Sequence, residues 1–108
     1  ILCGGHAVEV AGRCADGWFI APTVIEGLEA NCRTNQEEIF GPVATLIPFD
    51  DDDEAIAQAN ATQYGLAAGV FTRDLSKAHI LSRSLRAGSV WVNTYHAIDP
   101  AVPFGGYR

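Results

Sequence analysis

The sequence contains no methionine and has few basic residues for its length. Its 108 residues carry 7 lysines and arginines against 13 acidic residues, which gives a formal net charge of −6. A surface that gathers phosphate needs a basic excess, so the charge balance argues against a nucleic-acid partner or an anionic membrane. Because the chain has no initiator methionine and no polar tail, we expect it to be a section of a longer polypeptide.

Long apolar runs and paired cysteines are also missing. No run of about 18 apolar residues exists, which excludes a transmembrane helix, and the N-terminus lacks the basic start of a signal peptide. Cys3, Cys14 and Cys32 form no C-x-x-C pair, and the three histidines are scattered at no ligand spacing. We therefore predict no disulfide framework, no metal site and a reducing, cytoplasmic setting.

The hydrophobic pattern predicts an α/β fold in which short strands alternate with two helices. Apolar segments predict strands over residues 43–49, 66–72 and 89–93. Strands and helices in this alternating order are typical of βαβ crossovers and a parallel sheet. The first 40 residues are more irregular and hairpin-like, with strand candidates at residues 1–4 and 17–25.

Each predicted helix has a local start signal. Asp50 or Asp51 caps the first helix, and the following carboxylates lie near the positive end of its dipole. The acidic run at residues 50–54 is thereby explained as a helix start rather than a metal site. Asp74 caps the second helix, and Gly88 is predicted as its left-handed stop.

Generic catalytic motifs are absent, but longer sequence words occur in a fixed order. The chain has no G-x-G-x-x-G, no P-loop, no G-x-S-x-G and no H-E-x-x-H. These words are GWFIAPTV at 17–24, EEIFGPV at 37–43, YGLAA at 64–68, VFTRDL at 70–75, AGSVWVN at 87–93 and PFGGYR at 103–108. Their order and intervals closely resemble the aldehyde dehydrogenase superfamily. The resemblance covers the chain from about Gly4 to Arg108.

The resemblance implies a nicotinamide cofactor, NAD or NADP, and two residues that contact it. Glu38 occupies the position that hydrogen-bonds the hydroxyls of the nicotinamide ribose in the family. An ionised carboxylate suits this role because it offers two acceptor oxygens to a vicinal diol. Phe40 corresponds to the aromatic residue that packs near the nicotinamide. The alternative for Glu38 is a solvated loop acid, and Glu37 is expected to be structural or solvent-facing.

The resemblance also implies substrate contacts in the last part of the chain. Phe104 matches the family's aromatic residue at the wall of the aldehyde tunnel, and Ile98 and His96 are the best candidates in the loop before it. The alternatives are a plain core aromatic for Phe104 and a loop histidine without a role for His96. Asn93 is predicted to have a structural role, in which its amide ties down loop backbone.

Other parts of the family's machinery have no counterpart among these residues. The family's nucleophile is a cysteine in a Gly-Gln-x-Cys context, which none of the three cysteines has, so no catalytic residue is assigned. We expect the nucleophile segment and the Rossmann domain upstream of Ile1, and the oligomerisation strands beyond Arg108. Residues 1–108 are thus predicted to be part of an aldehyde dehydrogenase catalytic domain.

The implied parent oxidises an aldehyde to a carboxylic acid through a cysteine thiohemiacetal and thioester, with NAD or NADP taking up the hydride. We expect that parent to be a homo-oligomer, a dimer or a tetramer, and the 108 residues alone to be inactive. The alternative is a free-standing, non-catalytic α/β module that derives from the same fold and binds a partner.

Overall fold

The computed structural model describes residues 1–107 and shows an α/β arrangement. A short 3₁₀ helix, three α-helices and four strands follow one another within these residues, in the order Gly12–Cys14 (3₁₀), β1 Thr23–Glu26, α1 Arg33–Gln36, β2 Val43–Leu46, α2 Asp52–Asn60, β3 Ala67–Val70, α3 Leu75–Ser84 and β4 Ser89–Val92. The chain divides into two units, Ile1–Pro48 and Phe49–Arg108.

In the first unit, β1 pairs in parallel with β2, with Thr23 opposite Val43. The N-terminal segment adds isolated antiparallel bridges, one of which joins Cys3 to Val24. The strands predicted in the first 40 residues are therefore shorter than expected. Pro22 has no amide hydrogen to donate, which is why the parallel ladder of β1 begins only at Thr23.

A buried threonine joins the N-terminal segment to β1. Thr23 is only 6% exposed. Its hydroxyl donates to the carbonyl of Ala21 at 2.8 Å and accepts from the amide of Gly5 at 2.8 Å. Gly4 has a φ of +74°, and a Cβ there would collide with the carbonyl oxygen of Pro22. The close approach of the two segments therefore requires glycine at position 4.

In the second unit, β3, α3 and β4 form a crossover with parallel strands. Ala67 lies opposite Ser89, and the register continues to the ends of both strands. Helix α3 packs against β3 and β4, and α2 packs against α3. Val70 and Ala78 are buried in this unit. The predicted α/β class with parallel strand pairs is confirmed.

The predicted strands do not all belong to one ladder in the described residues. β2 pairs with β1, whereas β3 pairs with β4. The apolar pattern predicts where strands lie, but it does not encode which edge a neighbouring strand occupies.

The predicted start of α2 is confirmed. Asp51 caps the helix by accepting a hydrogen bond from the Glu54 amide at 2.8 Å. The Glu54 carboxylate reaches back to accept from the Asp50 amide at 2.7 Å. The second bond goes to the residue before the cap rather than to the cap itself, so the arrangement is a variant of the capping box in which the acidic run satisfies backbone amides at the start of the helix.

The start of α3 is confirmed, but its predicted end is wrong. Asp74 caps α3 through the amide of Lys77 at 3.1 Å. The helix ends at Ser84, and Leu85 is already extended with φ −77° and ψ 130°. Gly88 is not among the glycines with positive φ. Its physical role is different, because a Cβ on Gly88 would collide with the carbonyl oxygen of Gly105.

Among residues 1–107, no helix is long and apolar enough to cross a bilayer. In the same range, no three histidine, cysteine or acidic side chains form a group that could hold a metal ion. Cys3, Cys14 and Cys32 are all free thiols.

Candidate functional site

Asn93 is the first residue after the carboxyl end of β4. Its side chain bonds the backbone of Thr72 in the way that a neighbouring strand would. The backbone amide of Asn93 donates to the carbonyl of Val70 at 2.8 Å. Its side-chain Oδ1 accepts from the Thr72 amide, and its Nδ2 donates to the Thr72 carbonyl, both at 2.9 Å. Asn93 has a φ of +54°, a conformation that asparagine tolerates better than most residues. The predicted structural role of its amide is confirmed.

The side-chain rings of Trp91, Tyr95 and His96 pack against one another around this turn. The ring centroids of Trp91 and Tyr95 are 5.1 Å apart at an interplanar angle of 65°. His96 stacks on Tyr95 at 5.2 Å and lies 5.8 Å from Trp91. Sequence reasoning did not identify Trp91 or Tyr95 as site residues, because the positive φ of Asn93 that folds the chain back carries no periodic signal.

This ring stack lies over a glycine of the neighbouring strand. Gly69 is opposite Trp91 in the β3–β4 register. A Cβ on Gly69 would lie 3.2 Å from Cδ2 of Tyr95. That distance is tighter than an ordinary van der Waals contact, so the missing side chain at position 69 makes room for the tyrosine ring.

A cavity of about 310 Å³ lies between β4 and the loop that follows it. Trp91, Ile98, Asp99 and Phe104 contribute to its lining. The volume is at the small end of the range for small-molecule sites, and most of these side chains are apolar. The structure thus brings the predicted residues Ile98 and Phe104 together, while His96 lies outside the lining, in the ring stack.

The predicted cofactor residues lie in the first unit, between α1 and β2. Glu38 is exposed, and the side chain of Phe40 is 97% exposed. Two successive tight turns follow, in which Gly41 donates to the carbonyl of Ile39 and Val43 donates to that of Gly41, both at 2.8 Å. These turns hold the Phe40 ring out on the surface.

The neighbouring acid, Glu37, has a different environment. Its carboxylate oxygen Oε2 lies 2.8 Å from Nε of Arg33, one helical turn earlier. Both side chains are more than half exposed, so this is a surface ion pair. The pairing agrees with the expectation that Glu37 is structural or solvent-facing.

The crossover β3–α3–β4, with a cavity between β4 and the loop that follows it, is typical of ligand-binding α/β proteins. Comparison with known families then specifies the class. The model described as the aldehyde dehydrogenase family matches residues 1–108. The chain belongs to the aldehyde dehydrogenase family, which confirms the resemblance stated from the motifs.

Curated relatives show the same similarity over the whole chain. Fluoroacetaldehyde dehydrogenase of Streptantibioticus cattleyicolor is 49% identical over 108 residues, which cover 100% of this chain and 21% of that protein. Betaine aldehyde dehydrogenase of Mesorhizobium japonicum is 45% identical over 108 residues, covering 100% of this chain and 22% of that protein. The chain therefore spans about a fifth of the length of the curated relatives it matches.

Solved structures confirm the fold at high identity. A mutant P. syringae indole-3-acetaldehyde dehydrogenase in complex with NAD+ and IAA superposes with a TM-score of 0.91 and 48% identity, covering 99% of this chain and 21% of that one. Mycobacterium tuberculosis aldehyde dehydrogenase complexed with NAD+ superposes with a TM-score of 0.86 and 44% identity, covering 99% of this chain and 21% of that one.

Proposed function

We propose that these residues form part of the catalytic domain of an NAD(P)-dependent aldehyde dehydrogenase, which oxidises an aldehyde to a carboxylic acid. The family match over residues 1–108 carries the proposal. NAD+ in two of the similar structures supports a nicotinamide cofactor. This section supplies a ribose clamp and one wall of the aldehyde tunnel, and the nucleophile comes from another segment of the longer polypeptide.

Glu38 and Phe40 have the chemistry that the nicotinamide end of the cofactor needs. When bound, that cofactor accepts a hydride from the substrate. Glu38 would accept hydrogen bonds from the ribose hydroxyls, because an ionised carboxylate offers two acceptor oxygens to a vicinal diol. Phe40 would cover one face of the nicotinamide. Burying such a ring contributes about 1.5–3 kcal/mol of favourable free energy. Because Phe40 is 97% exposed, packing the nicotinamide against its ring would be favourable.

Ile98, His96 and Phe104 form the proposed substrate wall. Ile98 and Phe104 share the cavity beside β4, and apolar side chains suit the carbon chain of an aldehyde. His96 adds an imidazole that is held by its stacking on Tyr95. Ile98 and Phe104 can contact one substrate in the cavity, whereas His96 belongs to the same loop but lies outside the cavity lining.

Residues 1–108 are proposed to be a section of a larger domain rather than a free-standing module. A folded monomer of 11.5 kDa exposes about 5,800 Å² by the usual scaling, whereas this chain exposes 8444 Å². Trp18 is completely exposed, and no large side chain among the described residues is fully buried. A free-standing module would leave these rings in water. The homo-oligomeric parent and the cytoplasmic location stay predictions.

The experiment is a steady-state comparison in the complete polypeptide that contains these residues. Wild type should form NADH in the presence of an aldehyde. Glu38→Gln removes the charge but keeps the shape, and charge-assisted hydrogen bonds are about twice as strong as neutral ones. We expect the KM for NAD to rise about tenfold, equivalent to about 1.4 kcal/mol.

Glu37→Gln is the matched control, because it removes the adjacent carboxylate and only a surface ion pair with Arg33. It should leave the KM for NAD at the wild-type value. Equal effects of the two substitutions, or no effect of Glu38→Gln, would contradict the ribose clamp.

A further inference from the structure

We propose that Asn93 is the positioning residue of the aldehyde-binding loop, residues 94–104, and that its side-chain amide sets how well an aldehyde fits. The inference rests on the proposed function, because it assumes that this loop forms the substrate wall. The side chain of Asn93 forms the hydrogen bonds that the backbone of a neighbouring strand would form. Asn93 pairs through both amide atoms with one residue, Thr72, just beyond the end of β3.

The pairing ties the beginning of the loop to the start of a helix. Thr72 also accepts, through Oγ1, a hydrogen bond from the amide of Asp74 at 3.1 Å. Asp74 is the residue that caps α3. The loop therefore leaves β4 in a direction that these bonds fix relative to β3 and α3, through a left-handed turn at Asn93.

Two other contacts hold the loop but do not set its direction. Trp91 donates from Nε1 to the carbonyl of Ala97 at 2.7 Å. The returning chain at Gly105 lies against Gly88, just before β4. Both contacts join a residue before Asn93 to a residue after it, so they hold the middle and the end of the loop against β4, whereas the Asn93 side chain holds the start of the loop against the end of β3. A change at Asn93 therefore alters the direction in which the loop starts, whereas a change at one wall residue alters only its own contact.

A second asparagine provides an internal comparison. Asn60, the last residue of α2, donates from Nδ2 to the carbonyl of Ser84 at 2.9 Å and accepts at Oδ1 from the amide of Arg86 at 2.7 Å. Its chemistry equals that of Asn93, because one amide again bonds one backbone carbonyl and one backbone amide. These partners precede β4, whereas Asn93 follows it, at the carboxyl side of the strands where α/β proteins bind ligands.

The test compares the two asparagines in the complete polypeptide. Asn93→Gly removes both amide bonds but keeps the positive φ, which glycine adopts without strain. We expect the KM for aldehyde to rise about tenfold, since small displacements of positioning groups cost up to about 100-fold. The KM for NAD should not change. Asn60→Ala removes the equivalent bonds in a helix, so it should lower the melting temperature and leave the KM for aldehyde unchanged.

Asn93→Asp keeps the acceptor for the Thr72 amide and places a carboxylate against the Thr72 carbonyl. Its KM for aldehyde should also rise, and this variant decides the question if Asn93→Gly does not fold. Equal aldehyde KM values in the Asn93 variants and Asn60→Ala would overturn the inference. Absence of aldehyde-dependent NADH formation in the wild type would instead contradict the proposed function itself.

Discussion

The need for glycine at position 88 comes from a part of the chain that is distant in sequence. Its φ is not positive, so backbone freedom does not explain it. A side chain at this position would collide with the carbonyl of Gly105, which lies 17 positions later in the sequence. The glycine is needed because two backbone segments cross there, and this crossing closes the substrate loop.

Gly88→Ala should therefore destabilise the protein and displace the returning chain. An alanine methyl group has no space without backbone movement, and overpacking typically costs about 1–3 kcal/mol. Gly105→Ala is the matched control, because a Cβ at position 105 meets nothing within 4 Å. Melting temperatures of the two variants in the complete polypeptide test this. A larger loss in Gly105→Ala than in Gly88→Ala would refute the assignment.

Individual residues also show which features could be predicted from the sequence alone. The caps Asp51 and Asp74 were predictable, because a cap bonds an amide only three positions away and the signal is local. Gly88 was misassigned because its partner is remote. The edge-to-face contact of Trp91 with Tyr95 was missed for a related reason, since it follows a left-handed turn at Asn93 that no hydrophobic pattern marks.

Helices α2 and α3 are joined at their first turns by an ion pair. Nζ of Lys77 lies 2.8 Å and 3.0 Å from the two carboxylate oxygens of Asp52. The hydrogen bond that Lys77 donates to Asp52, and then the negative charge of Asp52, raise the pKa of Lys77 above its ordinary value of 10.5. Because the folded pKa is the higher one, the stabilisation is complete below pH 10.5 and is lost as the pH rises through the folded value.

This pair predicts a specific alkaline sensitivity. Lys77→Gln should lower stability at neutral pH and remove the part of the stability loss above pH 10.5 that the lysine causes. Lys77→Arg should keep the stabilisation to higher pH, because a guanidinium stays protonated there. Urea midpoints of the three proteins from neutral to alkaline pH measure this. Parallel pH profiles for wild type and Lys77→Gln would argue against the pair.

The strands show a further division between local and non-local information. β3 and β4 lie within the predicted segments 66–72 and 89–93, and β2 lies within 43–49. Apolar runs and turn residues are local, so the strands could be located from the sequence. The pairing of β2 with β1 could not, because a strand's partner is determined by the packing of segments that are far apart in sequence.

The chain exposes more surface than a self-contained domain of its size, and many of its large apolar side chains are exposed. Ala21, Val70 and Ala78 are its buried hydrophobic residues in the described range, and all of them are small or medium in size. Composition does not reveal this exposure, since it counts apolar residues without locating them. The family motifs could name Glu38, Phe40 and Phe104 as site candidates, because these residues belong to recognisable words, whereas their surroundings depend on packing.

The most direct measurement is NADH formation by the purified 108-residue chain and by the complete polypeptide, assayed side by side with NAD and one aldehyde. We predict that the complete polypeptide forms NADH and that the 108-residue chain forms none. None of the three cysteines of the chain lies in the Gly-Gln-x-Cys context of the family's nucleophile. Aldehyde-dependent NADH formation by the 108-residue chain alone would contradict the account.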